Sequence, residues 1–124
     1  AYQNVNDLLC DSLTNFCSYE TMDSLNHTRI LYFAEELKGE IAPVGVVWKY
    51  FRENYPNIAL YVEDDSHPTA IGAYINACVY YTMIFKKSPK LISYNFYLAD
   101  TSEEELAKQV VHDLVFKHLS DWEF

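Results

Sequence analysis

Residues 63–68 read Glu63-Asp64-Asp65-Ser66-His67-Pro68, a polar stretch that places a carboxylate three residues before a histidine. On one tight turn that spacing lets Asp64 accept a hydrogen bond from the imidazole Nδ1–H of His67. The bond fixes the ring tautomer and leaves Nε2 to take a proton from a nucleophile, the division of labour between acid and base in a Ser-His-Asp triad. Acidic residues before a His-Pro turn also occur in ordinary solvated loops, so the spacing alone fits a structural role as well. Asp65, next to Asp64, is the competing carboxylate.

The other reactive side chains are less suggestive. Cys10 and Cys17 flank a short irregular segment and can either close a small disulfide loop or remain two thiols, while Cys78 lies in an apolar stretch as a buried free thiol. No CxxC pair occurs, and His27, His67, His112 and His118 do not combine with the cysteines at zinc-ligand spacing, so a metal site is not expected. With 3 glycines the chain has no phosphate-cradling loop. His27, His112 and His118 read as surface or half-buried residues. The 11 tyrosines can form a sugar-binding platform, but they read more simply as amphipathic residues at the edge of a core.

The elements that must position Asp64 and His67 follow from periodicity and punctuation. Residues 1–17 show no sustained period and read as an irregular opening segment. Ser18 offers an N-cap to a helix from Tyr19 to Lys38, whose stripe of Met22, Leu25, Ile30, Phe33, Ala34 and Leu37 stops at Gly39. Glu40 to Val44 reads as a brief buried strand, Val46 to Asn54 as a second helix, and Ile58 to Tyr61 as a short extended piece leading into the Asp64 loop. Thr69 then caps an apolar helix from Ala70 to Phe85, which Ser88-Pro89 breaks. Ile92 to Leu98 reads as a linker or edge strand. A last helix, with Ser102 and Glu105 as a capping box, runs to about Leu119.

Composition bounds the partners. The chain has 124 residues, half of them hydrophobic, enough for one modest domain with its own core. Its 18 acidic and 9 basic residues give a formal charge of −9, which repels phosphate backbones and anionic lipid surfaces, so nucleic acid is not an expected partner. Ala1-Tyr2-Gln3-Asn4 does not read as the start of a secretion signal. The apolar run from Ala70 to Phe85 is shorter than the roughly 20 residues of a membrane span, and no membrane crossing is expected.

The order of short motifs around the loop resembles the C-terminal block of SGNH (GDSL-like) hydrolases, where an Asp-x-x-His-Pro turn supplies the acid and base. Asp64 and His67 match that turn. The resemblance is closest to a bacterial branch, through Ala42-Pro43-Val44-Gly45 with Trp48, Glu53-Asn54-Tyr55-Pro56, Leu60-Tyr61, Gly72-Ala73-Tyr74, Ala77-Cys78-Val79-Tyr80-Tyr81 and Lys87-Ser88-Pro89. Cys17-Ser18-Tyr19-Glu20 with Met22 resembles the start of the preceding helix, so the matches run from about Cys10 to Tyr94. The family's Gly-Asp-Ser nucleophile block and its oxyanion glycine and asparagine have no counterpart here.

This resemblance implies residues 1–124 as the C-terminal part of a single α/β domain, a three-layer α/β/α sandwich with a mainly parallel sheet. It implies an exported acyl or acetyl esterase, plausibly acting on carbohydrate esters, in which Asp64 orients His67 and a missing N-terminal half supplies the serine. The chain alone is then expected to be inactive, and the resemblance implies no metal or organic cofactor. The competing readings are a non-catalytic binding or structural domain of the same fold and an acidic interaction protein.

Overall fold

The computed structural model describes residues 18–64, 67–93 and 101–124. Among the described residues four α-helices carry the architecture: α1 (Tyr19–Leu37), α2 (Val44–Asn54), α3 (Ala70–Phe85) and α4 (Thr101–Leu114). Two 3₁₀ segments, Pro89–Leu91 and Phe116–Trp122, follow α3 and α4. The expected three-layer α/β sandwich is not what the chain forms. Among the described residues there is no sheet, and extended pairing is confined to two isolated antiparallel bridges, Glu40 with Glu123 and Tyr61 with Pro68.

The reason lies in hydrogen-bond supply. An extended segment becomes part of a sheet only when a neighbour offers a run of donors and acceptors. The Glu40–Val44 segment, expected as a strand, pairs its backbone, among the described residues, with the C-terminal tail: Ile41 N–H donates to Trp122 O at 2.9 Å and Phe124 N–H to Gly39 O at 3.0 Å. Ile58–Tyr61, the second extended piece, folds back on the residues just after it, with Thr69 N–H donating to Leu60 O at 2.9 Å.

Apolar burial is therefore the work of helices. Val47 and Phe51 on α2, Ile75, Cys78 and Val79 on α3, and Ala107 and Val111 on α4 are fully buried in one core. Leu60 joins them from the extended piece. Helix α3 is apolar around most of its circumference because it is packed between α2 and α4, with the Pro89–Leu91 turn against both α3 and α4.

Helix α1 departs from its expected stripe. Met22 and Ala34 are buried, but Ile30, Phe33 and Leu37 are exposed, together with Tyr32. Its anchors lie near its N-terminus, where Ser18 Oγ accepts Thr21 N–H at 3.1 Å, Arg52 stacks 3.9 Å over the Tyr19 ring and Lys49 pairs with Asp23 at 3.5 Å. The helix ends one residue before the expected Lys38, which is itself the left-handed cap at φ 50°, ahead of Gly39. Helix α2 starts two residues earlier than expected, at Val44. Helix α4 stops at Leu114 instead of continuing to Leu119, and Ser102 lies inside it. The chain tightens into a 3₁₀ segment kinked at His118, and Leu119 and Trp122 pack against the core.

One close approach fixes how α3 meets the rest. A Cβ on Gly72 would stand 2.5 Å from the Leu60 carbonyl oxygen and 3.2 Å from two carbons of the Trp48 ring. Gly72→Ala is therefore expected to destabilise the fold by about 1–3 kcal/mol, because backbone must move to admit one methyl. A urea unfolding midpoint equal to that of the wild type would contradict this packing.

Candidate functional site

The loop carrying Asp64 and His67 is tied at its base to α3. Val62 N–H donates to His67 O at 3.0 Å, closing the loop beside the Tyr61–Pro68 bridge. Thr69 Oγ1 donates to Ala59 O at 2.8 Å and accepts Gly72 N–H at 3.2 Å, so the residue that caps α3 also holds the incoming chain.

Within this frame Asp64 makes two bonds to the same residue. Its Oδ1 accepts the His67 backbone N–H at 2.9 Å, and its Oδ2 lies 2.5 Å from His67 Nδ1. A carboxylate only accepts, so Nδ1 carries the shared proton and Nε2 is the remaining ring nitrogen. The backbone bond fixes the carboxylate before the ring meets it. The His67 side chain is 79% exposed and that of Asp64 48%, which places the pair in water-like dielectric. Its contribution to stability is small there, and what the geometry supplies is orientation. Asp65 and Ser66 lie outside the described residues, as do Cys10 and Cys17 with their expected bridge.

The structure brings no nucleophile to His67 among the described residues. Cys78 is a free thiol, as the sequence suggests, but burial pushes it up to about 12, far from a reactive thiolate. Ser88 is engaged elsewhere: its Oγ lies 2.8 Å from His112 Nδ1 and accepts Lys90 N–H at 3.3 Å. No group of three or more His, Cys, Asp or Glu side chains among the described residues is placed to hold a metal ion. No described helix is long and apolar enough to cross a membrane.

Two features were not read from the sequence. The first is an open cleft of about 310 Å³ between α1, the Ile41–Val46 segment and the C-terminal tail, walled by the rings of Tyr19, Trp48, Tyr61 and Trp122. His67 does not line this cleft; Tyr61, whose backbone pairs with Pro68, is the link between loop and cleft. Trp48 is held by an Nε1–H bond to Asn76 Oδ1 at 2.6 Å and meets the Tyr61 ring edge to face at 4.7 Å. Trp48 and Tyr61 are sequence-legible as aromatics, but their meeting across a helix and a loop is not.

The second is the Ser88–His112 bond between the exit of α3 and α4, 24 residues apart. His112 also stacks on Phe116 at 5.2 Å. Comparisons of the chain with protein-family models, curated proteins and solved structures gave no match. The functional reading therefore rests on residues and geometry.

Desolvation first, and the Lys90 and Lys117 ammonium groups after it, hold His112 below its ordinary value of 6.5, with Asp113 opposing them. The unfolded chain then takes up this proton first, so the contribution of His112 to stability is complete above about pH 6.5 and is lost as the pH falls toward the lower folded value. Urea midpoints at pH 7.5 and 5.5 should show a smaller loss on acidification for His112→Gln than for the wild type; equal losses would refute the assignment. For the loop, long-range ¹⁵N–¹H spectra should show neutral His67 as the Nδ1–H tautomer, shifting toward Nε2–H in Asp64→Ala. An unchanged tautomer would mean that the Asp64 contact does not orient the ring.

Proposed function

We propose that Asp64 and His67 are the acid and the base of an ester hydrolase, completing a triad whose serine is supplied from outside this chain. The observation that carries this reading is the double engagement of Asp64, with Oδ1 on the His67 backbone N–H and Oδ2 on Nδ1. A loop needing only a turn would be served by the backbone bond. The second bond adds a fixed tautomer that leaves Nε2 as the proton acceptor, which is what a general base requires. The local resemblance of this loop to the terminal block of SGNH hydrolases supports the chemistry; it does not extend to the layered architecture.

In the proposed reaction His67 Nε2 accepts the proton of the serine hydroxyl as its oxygen attacks the ester carbonyl. Asp64 stabilises the imidazolium through Nδ1–H and stays ionised. The proton then passes from Nε2 to the departing alcohol, leaving an acyl-serine that water clears by the same base. Oxyanion donors, like the serine, come from outside this chain.

Hydrolysis of a nitrophenyl acetate tests this. The 124-residue chain alone should give no turnover above that of its His67→Ala variant. A longer protein containing this chain together with an upstream serine block should turn over, be silenced by a serine-directed phosphonate, and lose activity by about 10⁴-fold or more in His67→Ala. Phosphonate-sensitive turnover by the chain alone, or full activity of the longer His67→Ala protein, would overturn the proposal.

A further inference from the structure

The apolar stripe of α1 outruns the body that covers it. Met22, near the start of the helix, is buried, whereas Ile30, Phe33 and Leu37, which continue the same stripe at helical spacing, are exposed, Leu37 by 77%. Tyr32, also exposed, widens this surface, its ring meeting that of Phe33 edge to face at 5.6 Å. Large apolar side chains so close together form a contiguous patch, unlike the scattered ones that any surface carries. One flank of the stripe is taken by the chain itself, since Ala34 is buried and its carbonyl accepts Gly39 N–H at 3.0 Å. The other flank carries Arg29 and Glu36, both exposed and neither with an ion-pair partner among the described residues.

Charge and spacing identify what covers the patch. From Asn26 to Lys38 the helix carries two bases, Arg29 and Lys38, and two acids, Glu35 and Glu36, so it is neutral within a chain of formal charge −9. It has no basic excess to draw it to an anionic lipid surface, and the charge of the whole chain opposes that contact. Arg29 and Glu36 are instead complementary to each other across a twofold axis. In a twofold interface residue i of one protomer meets residue j of its partner, and j meets i. With two α1 helices antiparallel about Phe33, Arg29 stands four residues before the axis and Glu36 three after it. Arg29 of each protomer then comes within about 1.5 Å, along the helix, of the level of Glu36 in its partner. Both residues lie on one flank, and the axis brings like flanks together. The same register sets Ile30 against Leu37 of the partner and Phe33 against Phe33, whereas a parallel pairing would put Arg29 beside Arg29.

We propose that the second half of α1 is a homodimer interface. Two copies of this chain pack antiparallel about Phe33, with Ile30, Phe33 and Leu37 at the centre and two Arg29–Glu36 ion pairs along one edge. The pairing is independent of the chemistry at Asp64 and His67.

Sedimentation equilibrium of the 124-residue chain tests this. A single helix pair is at the small end of specific interfaces, so the mass should rise from one chain toward two between about 10 µM and about 1 mM. Leu37→Ser, a change at an exposed position, should weaken association about tenfold or more, because each dimer loses two leucine contacts. Glu36→Arg should weaken it about five- to thirtyfold, even though it makes the chain less acidic and so reduces the general repulsion between copies. Arg29→Glu should weaken it as well. The double variant, Arg29→Glu with Glu36→Arg, leaves the net charge unchanged and only exchanges the partners, and should recover wild-type association to within about threefold. A chain that stays monomeric at about 1 mM, a Leu37→Ser or Glu36→Arg variant that associates as tightly as the wild type or more tightly, or a double variant no tighter than the single ones would overturn the proposal.

Discussion

Thr69 makes the three bonds on which the placement of the chemistry depends. Its N–H reaches Leu60 O, its hydroxyl donates to Ala59 O, and the same oxygen caps α3 through Gly72 N–H. One residue thus joins the extended piece before the loop to the helix after it. The absence of a side chain at Gly72 lets these two elements touch, with Trp48 of α2 closing over the same point. Core packing and loop geometry are consequently one constraint. The residues that bury Leu60 also fix where Asp64 and His67 emerge.

Above that node the loop is simple and solvent-facing. Asp64 is positioned by a backbone donor and in turn positions a ring, so orientation passes from main chain to carboxylate to imidazole without help from burial. Because both side chains are largely exposed, solvent screens their charges and the pair adds little to stability. A group that contributes little to folding and is nonetheless held by two bonds is better suited to positioning than to support. The contrast with His112 is instructive. That ring is bonded to Ser88 and stacked on Phe116, and its charge state is tied to the docking of one segment on another.

The distribution of apolar surface separates the molecule into a settled part and an open part. Helices α2, α3 and α4 share a closed core, whereas the second half of α1 presents Ile30, Phe33 and Leu37 to solvent, and the far end of α3 presents Ile84 and Phe85. The aromatic cleft lies on the α1 side of this division. Its tryptophans are contributed by α2 and by the C-terminal tail, and the tail reaches it only because α4 gives way to a 3₁₀ segment after Leu114.

Local chemistry was legible in the sequence where one short stretch contains both cause and effect. The Thr69 cap and the Ala70–Phe85 helix, the Ser18 cap, the break at Ser88-Pro89 and the Asp64-to-His67 spacing each depend on residues within a few positions of one another. Outcomes that depend on distant partners were not legible. Glu40–Val44 carries the composition of a buried strand, yet a strand needs a neighbour, and the one it meets is the three-residue length of tail from Trp122 to Phe124. The stripe of α1 is periodic whether or not anything covers it. Trp48, Tyr61 and Trp122 become a cleft only through packing. The sequence by itself determined where α1 and α3 begin and that Asp64 meets His67, because capping and turn bonds are short-range. Tertiary structure alone decided between sheet and helical packing and which apolar faces are covered, because those depend on hydrogen-bond and packing partners far away in the chain.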